Sequence, residues 1–176
     1  LTSSDVLRRR QAAKNLQTIS TQHPLSPDAV RQLIEPLAKE QDQQVWQYCL
    51  QAIQADRHSA AQELALLALH NPWPDVRRAS LEYFRQHPSP EIATAVLPLL
   101  RESNPRLQTS AAEVLGLCGN PQVIHGFPAT PTTVATGGLR DLLTSSHPDV
   151  QWATLTALTR LRDDEAYAEL IRRLQA

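Results

Sequence analysis

Apolar positions recur along the chain with a helical period. Four stretches carry one pattern, in which an apolar residue is followed by small or apolar residues at offsets four, five and eight. They are Val45 with Cys49, Leu50 and Ile53; Val76 with Ser80, Leu81 and Phe84; Leu107 with Ala111, Ala112 and Leu115; and Val150 with Thr154, Leu155 and Leu158. These offsets fall on one face of an α-helix, so each copy predicts an amphipathic helix with that stripe buried. Arg8 with Ala12, Ala13 and Leu16 predicts a weaker first copy, with an Arg in the leading place.

Successive copies lie 37, 31, 31 and 43 residues apart, a period that leaves room for one further helix in each interval. Start signals mark those intervening helices. Ser26-Pro27-Asp28 and Ser89-Pro90-Glu91 each offer a cap, a Pro at the first helical position and an acid in the first turn. Ser59 with Gln62 has the form of a capping box. Asp163 is placed to cap a last helix with apolar Ala166, Tyr167, Leu170, Ile171 and Leu174. The pattern therefore predicts alternating first and second helices along almost the whole chain.

Pro36 and Pro98 each stand nine residues before the leading apolar residue of the next copy, which puts a proline at the same interior helix position twice. Together with the turn Asp75-Val76-Arg77, this resembles the HEAT-repeat family. The stretch from Val114 to Ile124 (VLGLCGNPQVI) is similar to bacterial HEAT-like repeats also found in phycocyanobilin lyase subunits. The resemblance implies an all-α fold, a right-handed α-α superhelix (α-solenoid) of about five two-helix repeats, spanning 1–176 as a single repeat domain. It also implies that the second helices line a concave groove. Residues two, three and six places after each leading residue then face outward: Gln47, Tyr48 and Gln51; Arg78, Ala79 and Glu82; Thr109, Ser110 and Glu113; Trp152, Ala153 and Thr156.

The longest interval exceeds the 31-residue period by 12, and the surplus falls at 125–138, rich in Pro, Gly and Thr. That composition predicts an inserted loop that delays the continuation of a first helix to Leu139–Leu143. No Asp, Glu, Lys or Arg lies between Val114 and Leu139, so His125 and Phe127 are candidates for a contact with a partner, set against a tolerated insertion. The repeat phase opens on a second helix and closes on a first helix, leaving Leu16, Ile19, Leu170 and Leu174 covered on one side only. With no Met in the sequence, a piece of a longer array with further repeats or domains is expected.

Composition narrows the function. At 41% hydrophobic and 20% charged over 176 residues the chain suits a globular domain, and five Gly against thirteen Pro favour helices with short turns. Seventeen Lys and Arg balance eighteen Asp and Glu, which argues against a polyanion binder and so against nucleic acid. No apolar run approaches the roughly 20 residues that span a bilayer, and Leu1-Thr2-Ser3-Ser4 lacks the apolar core of a signal peptide, so no membrane partner is expected; two cysteines expected to stay free favour the cytoplasm.

Catalytic chemistry finds no foothold in the residue pattern. Cys49 and Cys118 fall two repeats apart, about 20 Å at ordinary helix spacing, which predicts two buried free thiols. Of His23, His58, His70, His87, His125 and His147, no pair has one-turn spacing and none precedes Glu, unlike the His-Glu pairs of HEAT-like deoxyhypusine hydroxylases. No phosphate loop or nucleophile motif is present. Arg8-Arg9-Arg10 with Lys14 gives a basic helix face, read as a solvated one. The expectation is a non-catalytic scaffold that needs no cofactor and binds a protein or peptide through the groove. Tyr48, Gln51, Arg78, Glu82, Glu113 and Trp152 are the candidate contacts, because aromatic and Arg side chains dominate binding energy. Filling of gaps between repeats is the alternative use for Trp46, Trp73 and Trp152. The repeat resemblance also implies a lyase-like or chaperone-like subunit handling a bilin chromophore. More remotely it implies a DNA-binding HEAT-like glycosylase, which the near-neutral charge opposes.

Overall fold

The computed structural model describes residues 3–119 and 133–174. Every regular element among them is helical. The chain divides into two compact units, Leu1–His87 and Pro88–Ala176.

The N-terminal unit holds α1 (Val6–Ser20), α2 (Pro27–Ala38), α3 (Gln43–Ala52), α4 (Ser59–Leu69) and α5 (Pro74–Gln86). The second helices α1, α3 and α5 pack in succession, the first helices α2 and α4 pack on each other, and α4 packs on α5. In the C-terminal unit the first helix is broken into a 3₁₀ turn Pro90–Ile92, a short α6 (Ala93–Val96) and a second 3₁₀ turn Leu97–Arg101. It is followed by α7 (Pro105–Cys118), α8 (Thr133–Asp141) with a 3₁₀ turn Leu142–Thr144, α9 (Pro148–Arg160) and α10 (Asp164–Leu174). There α7 packs on α9, and α9 also meets α8 and α10.

The predicted stripe is part of the core. All four of its residues in α3 and its C-cap, in α5, in α7 and in α9 are buried, none more than 1% exposed. At about 1.5–3 kcal/mol for each large apolar side chain removed from water, this column contributes strongly to the fold, together with buried first-helix residues such as Leu37, Leu64 and Leu99. In α1 the stripe is incomplete. Ala13 is buried, but Arg8 and Ala12 are exposed, because no preceding first helix covers that side of α1 among the described residues.

A second regularity lies one place after each leading residue, where the side chain carries an N–H donor. Arg9 Nη1 donates to Ser3 O (2.9 Å), Trp46 Nε1 to Glu40 O (3.1 Å) and Arg77 Nη1 to Asn71 O (2.8 Å) in the N-terminal unit. Gln108 Nε2 donates to Glu102 O (2.8 Å) and Gln151 Nε2 to Ser145 O (2.5 Å) in the C-terminal unit. In every case the acceptor lies six residues back, in the turn that enters the second helix. A turn carbonyl with no helical partner is thereby satisfied, and the turn is tied to the helix it starts.

Local starts and stops follow their chemistry. Ser26 caps α2 by accepting from Ala29 N, Asp42 caps α3 from Val45 N, and Asp163 accepts from Ala166 N at the start of α10. Pro36 sits inside α2, two residues from its end, where little helix remains to be disrupted. Three expectations are corrected. The capping residue of α4 is His58, whose Nδ1 accepts from Ala61 N (3.2 Å); Ser59 is already helical, so the imidazole takes the part assigned to its hydroxyl. Ser89-Pro90-Glu91 opens a 3₁₀ turn without a side-chain cap, and Pro98, which lacks an N–H, falls where α6 gives way to the second 3₁₀ turn. Finally, residues 133–138 of the expected loop are helical as the start of α8, while His125 and Phe127 lie outside the described residues. A Cβ on Gly138 would stand 3.3 Å from Leu100 Cδ1, so this glycine permits a close approach of α8 to the broken first helix.

Candidate functional site

In the N-terminal unit the neighbouring helices α3 and α5 carry Tyr48, Gln51, Arg78 and Glu82. Tyr48 is half-buried and Gln51 exposed; Gln51 Oε1 accepts from Gln17 Nε2 of α1 at 2.8 Å. Arg78 is exposed and stands 3.8 Å from Asp75. The Glu82 carboxylate accepts from Arg85 (2.6 and 2.8 Å) and from Gln86 (3.0 Å), and the bond from Arg85 holds its carboxyl below the usual glutamate range against the opposing effect of burial. A row of polar groups with one aromatic ring is therefore displayed across two packed helices.

In the C-terminal unit Glu113 on α7 is half-buried and Trp152 on α9 is 42% exposed. Trp73 of the N-terminal unit is likewise 44% exposed, with Nε1 donating to Gln41 O, whereas Trp46 is buried at 3%. Of the three tryptophans, Trp46 alone fills the interior. Ala153, expected to face outward, is buried at 8%; it follows the exposed Trp152 and precedes the core residue Thr154, and the turn of α9 carries it onto the covered side.

Both thiols are free and buried. Burial pushes Cys49 up to about 12 and Cys118 up to about 11, so each is a protonated core side chain near neutral pH rather than a nucleophile. No group of three or more His, Cys, Asp or Glu is arranged to hold a metal ion among the described residues, and no helix there is long and apolar enough to cross a membrane.

The residue pattern gave no hint of a buried polar cluster in the N-terminal unit. Asp56, 3% exposed, follows α3 and accepts at its carbonyl from the Tyr83 hydroxyl (2.8 Å). His58 Nε2 donates to Leu25 O (3.2 Å), and His87 Nε2 to Gln54 O (2.7 Å). One Asp56 carboxylate oxygen, Oδ2, is buried without a hydrogen bond. Burial raises the Asp56 carboxyl above the usual aspartate range, opposed by the nearby His58 and His87 and a backbone N–H at Leu25; burial also pushes Tyr83 up to about 12. The cluster ties the turn after α3 to the entry of α2 and the end of α5. Its bonds join residues 27 and 33 positions apart, with the His58–Leu25 and His87–Gln54 pairs sharing the span of 33, so it lay beyond any pattern within one helix. The turn-tying donors were more accessible, since the column after each leading residue reads Arg, Trp, Arg, Gln, Gln.

A cleft of about 770 Å³ opens in the C-terminal unit between the broken first helix and α8, bounded by Leu97, Pro98, Arg101, Gly137, Asp141 and Leu142. A smaller one of about 510 Å³ lies in the N-terminal unit beside Glu35, Pro36 and Lys39, closed on one side by the Arg9–Glu40 ion pair at 2.7 Å.

No protein-family model and no curated protein matches this sequence. Among solved structures the chain is similar to a crystal structure of an engineered protein, with 19% identity and a TM-score of 0.60 over 98% of this chain and 81% of that one. A second engineered protein is matched with 19% identity and a TM-score of 0.49 over 92% of this chain and 95% of that one. The first likeness supports the all-α helical-repeat arrangement and extends no further than the fold.

Proposed function

We propose that this chain is a HEAT-like repeat scaffold, acting without catalysis or cofactor in the cytoplasm, that binds a protein or peptide segment along the exposed side of its second helices. The observation that carries this reading is the exposed Trp152 on α9, an amphipathic ring 42% open to solvent within an otherwise buried helix segment. Such a side chain suits the anchor of an interface, since Trp and Arg supply a large share of binding energy. In the N-terminal unit the adjacent Tyr48, Gln51, Arg78 and Glu82 offer the same mixture of ring, charge and amide. The nearly balanced charge favours a mixed polar and apolar ligand over a polyanion.

Affinity capture with the full chain, set beside a variant with Tyr48, Arg78 and Trp152 all changed to Ala, tests this. Partners lost in the variant while its helical content is retained are expected. Identical partners for both proteins would remove the second-helix surface as the binding site.

A further inference from the structure

We propose that His58 is an acid-operated switch at the start of α4: in its neutral form it caps that helix, and in its protonated form it gives up the cap and pairs with the buried Asp56 carboxylate. None of the residues involved belongs to the binding surface proposed above.

The neutral form is fixed by its bonds. His58 Nδ1 accepts from Ala61 N at 3.2 Å, so that nitrogen carries no proton. The proton therefore sits on Nε2, which donates to Leu25 O at 3.2 Å, one residue before the cap of α2. The Asp56 carboxylate accepts from the N–H of the same Leu25. One imidazole thus ties the start of α4 to the entry of α2, and these two helices pack on each other.

Histidine is the side chain that exchanges a proton between about pH 5 and 8, and here a second proton has only Nδ1 to go to. Taken up there, it turns the acceptor into a donor and sets a cation at a helix N-terminus, where the dipole opposes it. Both effects act against the cap. Ala61 N keeps a second acceptor, His58 O at 3.0 Å, so the first turn of α4 outlasts the loss of the ring. The displaced imidazolium has a partner close by. Asp56 lies two residues back and is 3% exposed, with Oδ2 buried and without a hydrogen bond. A charged N–H donating to that oxygen satisfies it, and exchanges one neutral hydrogen bond for a stronger, charge-assisted one.

His87 is not equivalent, because its Nε2 donates to Gln54 O at 2.7 Å and a protonated ring keeps that bond. The Tyr83 hydroxyl is committed to Asp56 O at 2.8 Å. The remaining titratable groups at this junction, His23 and Asp28 about the entry of α2, Arg57 beside the ring and Glu63 on α4, are exposed and act through solvent.

NMR of the full chain from about pH 8 to about pH 5 tests this. It is run on the parent and on His58→Asn, whose side chain suits a helix cap and does not titrate. At the upper end the His58 ring should carry its proton on Nε2 alone. The Ala61 amide resonance should then move in the same step in which the ring gains its second proton. In His58→Asn that amide should stay in place. In Asp56→Asn the step should fall at lower pH, because the imidazolium loses its carboxylate partner. A neutral ring protonated on Nδ1, or an Ala61 amide that does not follow the ring, would overturn the proposal. An Ala61 amide that moves equally in His58→Asn, or a step left in place by Asp56→Asn, would do the same.

Discussion

In the N-terminal unit the first helices α2 and α4 run unbroken for 12 and 11 residues, whereas the C-terminal unit builds two of its first helices from 3₁₀ turns around a four-residue α6 and a nine-residue α8, with only the last, α10, unbroken over 11 residues. The second helices differ far less: the stripe in α5 and the stripe in α9 are equally buried. One position records the contrast. Ser80 finds an acceptor in α4, but Thr154, its equivalent in α9, is buried with no partner for Oγ1. The second-helix column is thus the fixed part of the architecture. The layer behind it tolerates prolines, glycines and broken turns.

The contrast can be attacked at the column itself. Leu81→Ala in α5 and Leu155→Ala in α9 both remove a fully buried side chain and are each expected to cost about 2–5 kcal/mol in urea unfolding. A cost below about 0.5 kcal/mol at either would show that the helical phase is misassigned there. Next in size is Gly116→Ala. A Cβ at that place would lie 2.6 Å from Ala157 Cα, so α7 and α9 must part, at about 1–3 kcal/mol. Gly137→Ala in α8, which meets nothing within 4 Å, should instead stabilise by about 0.5–1 kcal/mol. Loss of stability at both glycines would mean that α8 is packed as tightly as α7.

Smaller effects sharpen the hydrogen-bond difference. Ser80→Ala is expected to destabilise by about 1 kcal/mol, while Thr154→Val should be neutral or stabilising by about the same amount, since it removes an unsatisfied hydroxyl at constant shape. Equal signs in thermal unfolding of the two variants would erase the distinction between the units. The mildest test uses pH. The folded-state value of Asp56 is raised, so its ionised form opposes folding near neutrality, and that penalty is relieved as pH falls through the raised value. The stability of Asp56→Asn relative to the parent should therefore be greatest near neutral pH and decline in acid. A difference that grows on acidification would show that Asp56 is stabilised as a carboxylate.

Much of this was legible from local patterns. The stripe of α3, α5, α7 and α9, the caps Ser26 and Asp163 and the interior Pro36 depend on residues within a few turns of each other, which spacing can report. The exceptions share a cause. Ala12 is exposed and His58 displaces Ser59 as a cap because of what packs beside them, and Pro98 and Gly138 take their meaning from the neighbouring turns of their own unit. The candidate site was legible only as a column of positions. Which members display an open ring, as Trp152 does, and which turn inward, as Ala153 does, depends on neighbours brought in by the fold.

Residue-resolved amide hydrogen exchange tests the central claim most directly, since it ranks each helix by the free energy of opening it. The account predicts slow exchange for α4 and α5 alike in the N-terminal unit, and in the C-terminal unit slow exchange for α7 and α9 with fast exchange across 90–101 and α8. Protection of 90–101 and α8 equal to that of α7 and α9 would contradict it.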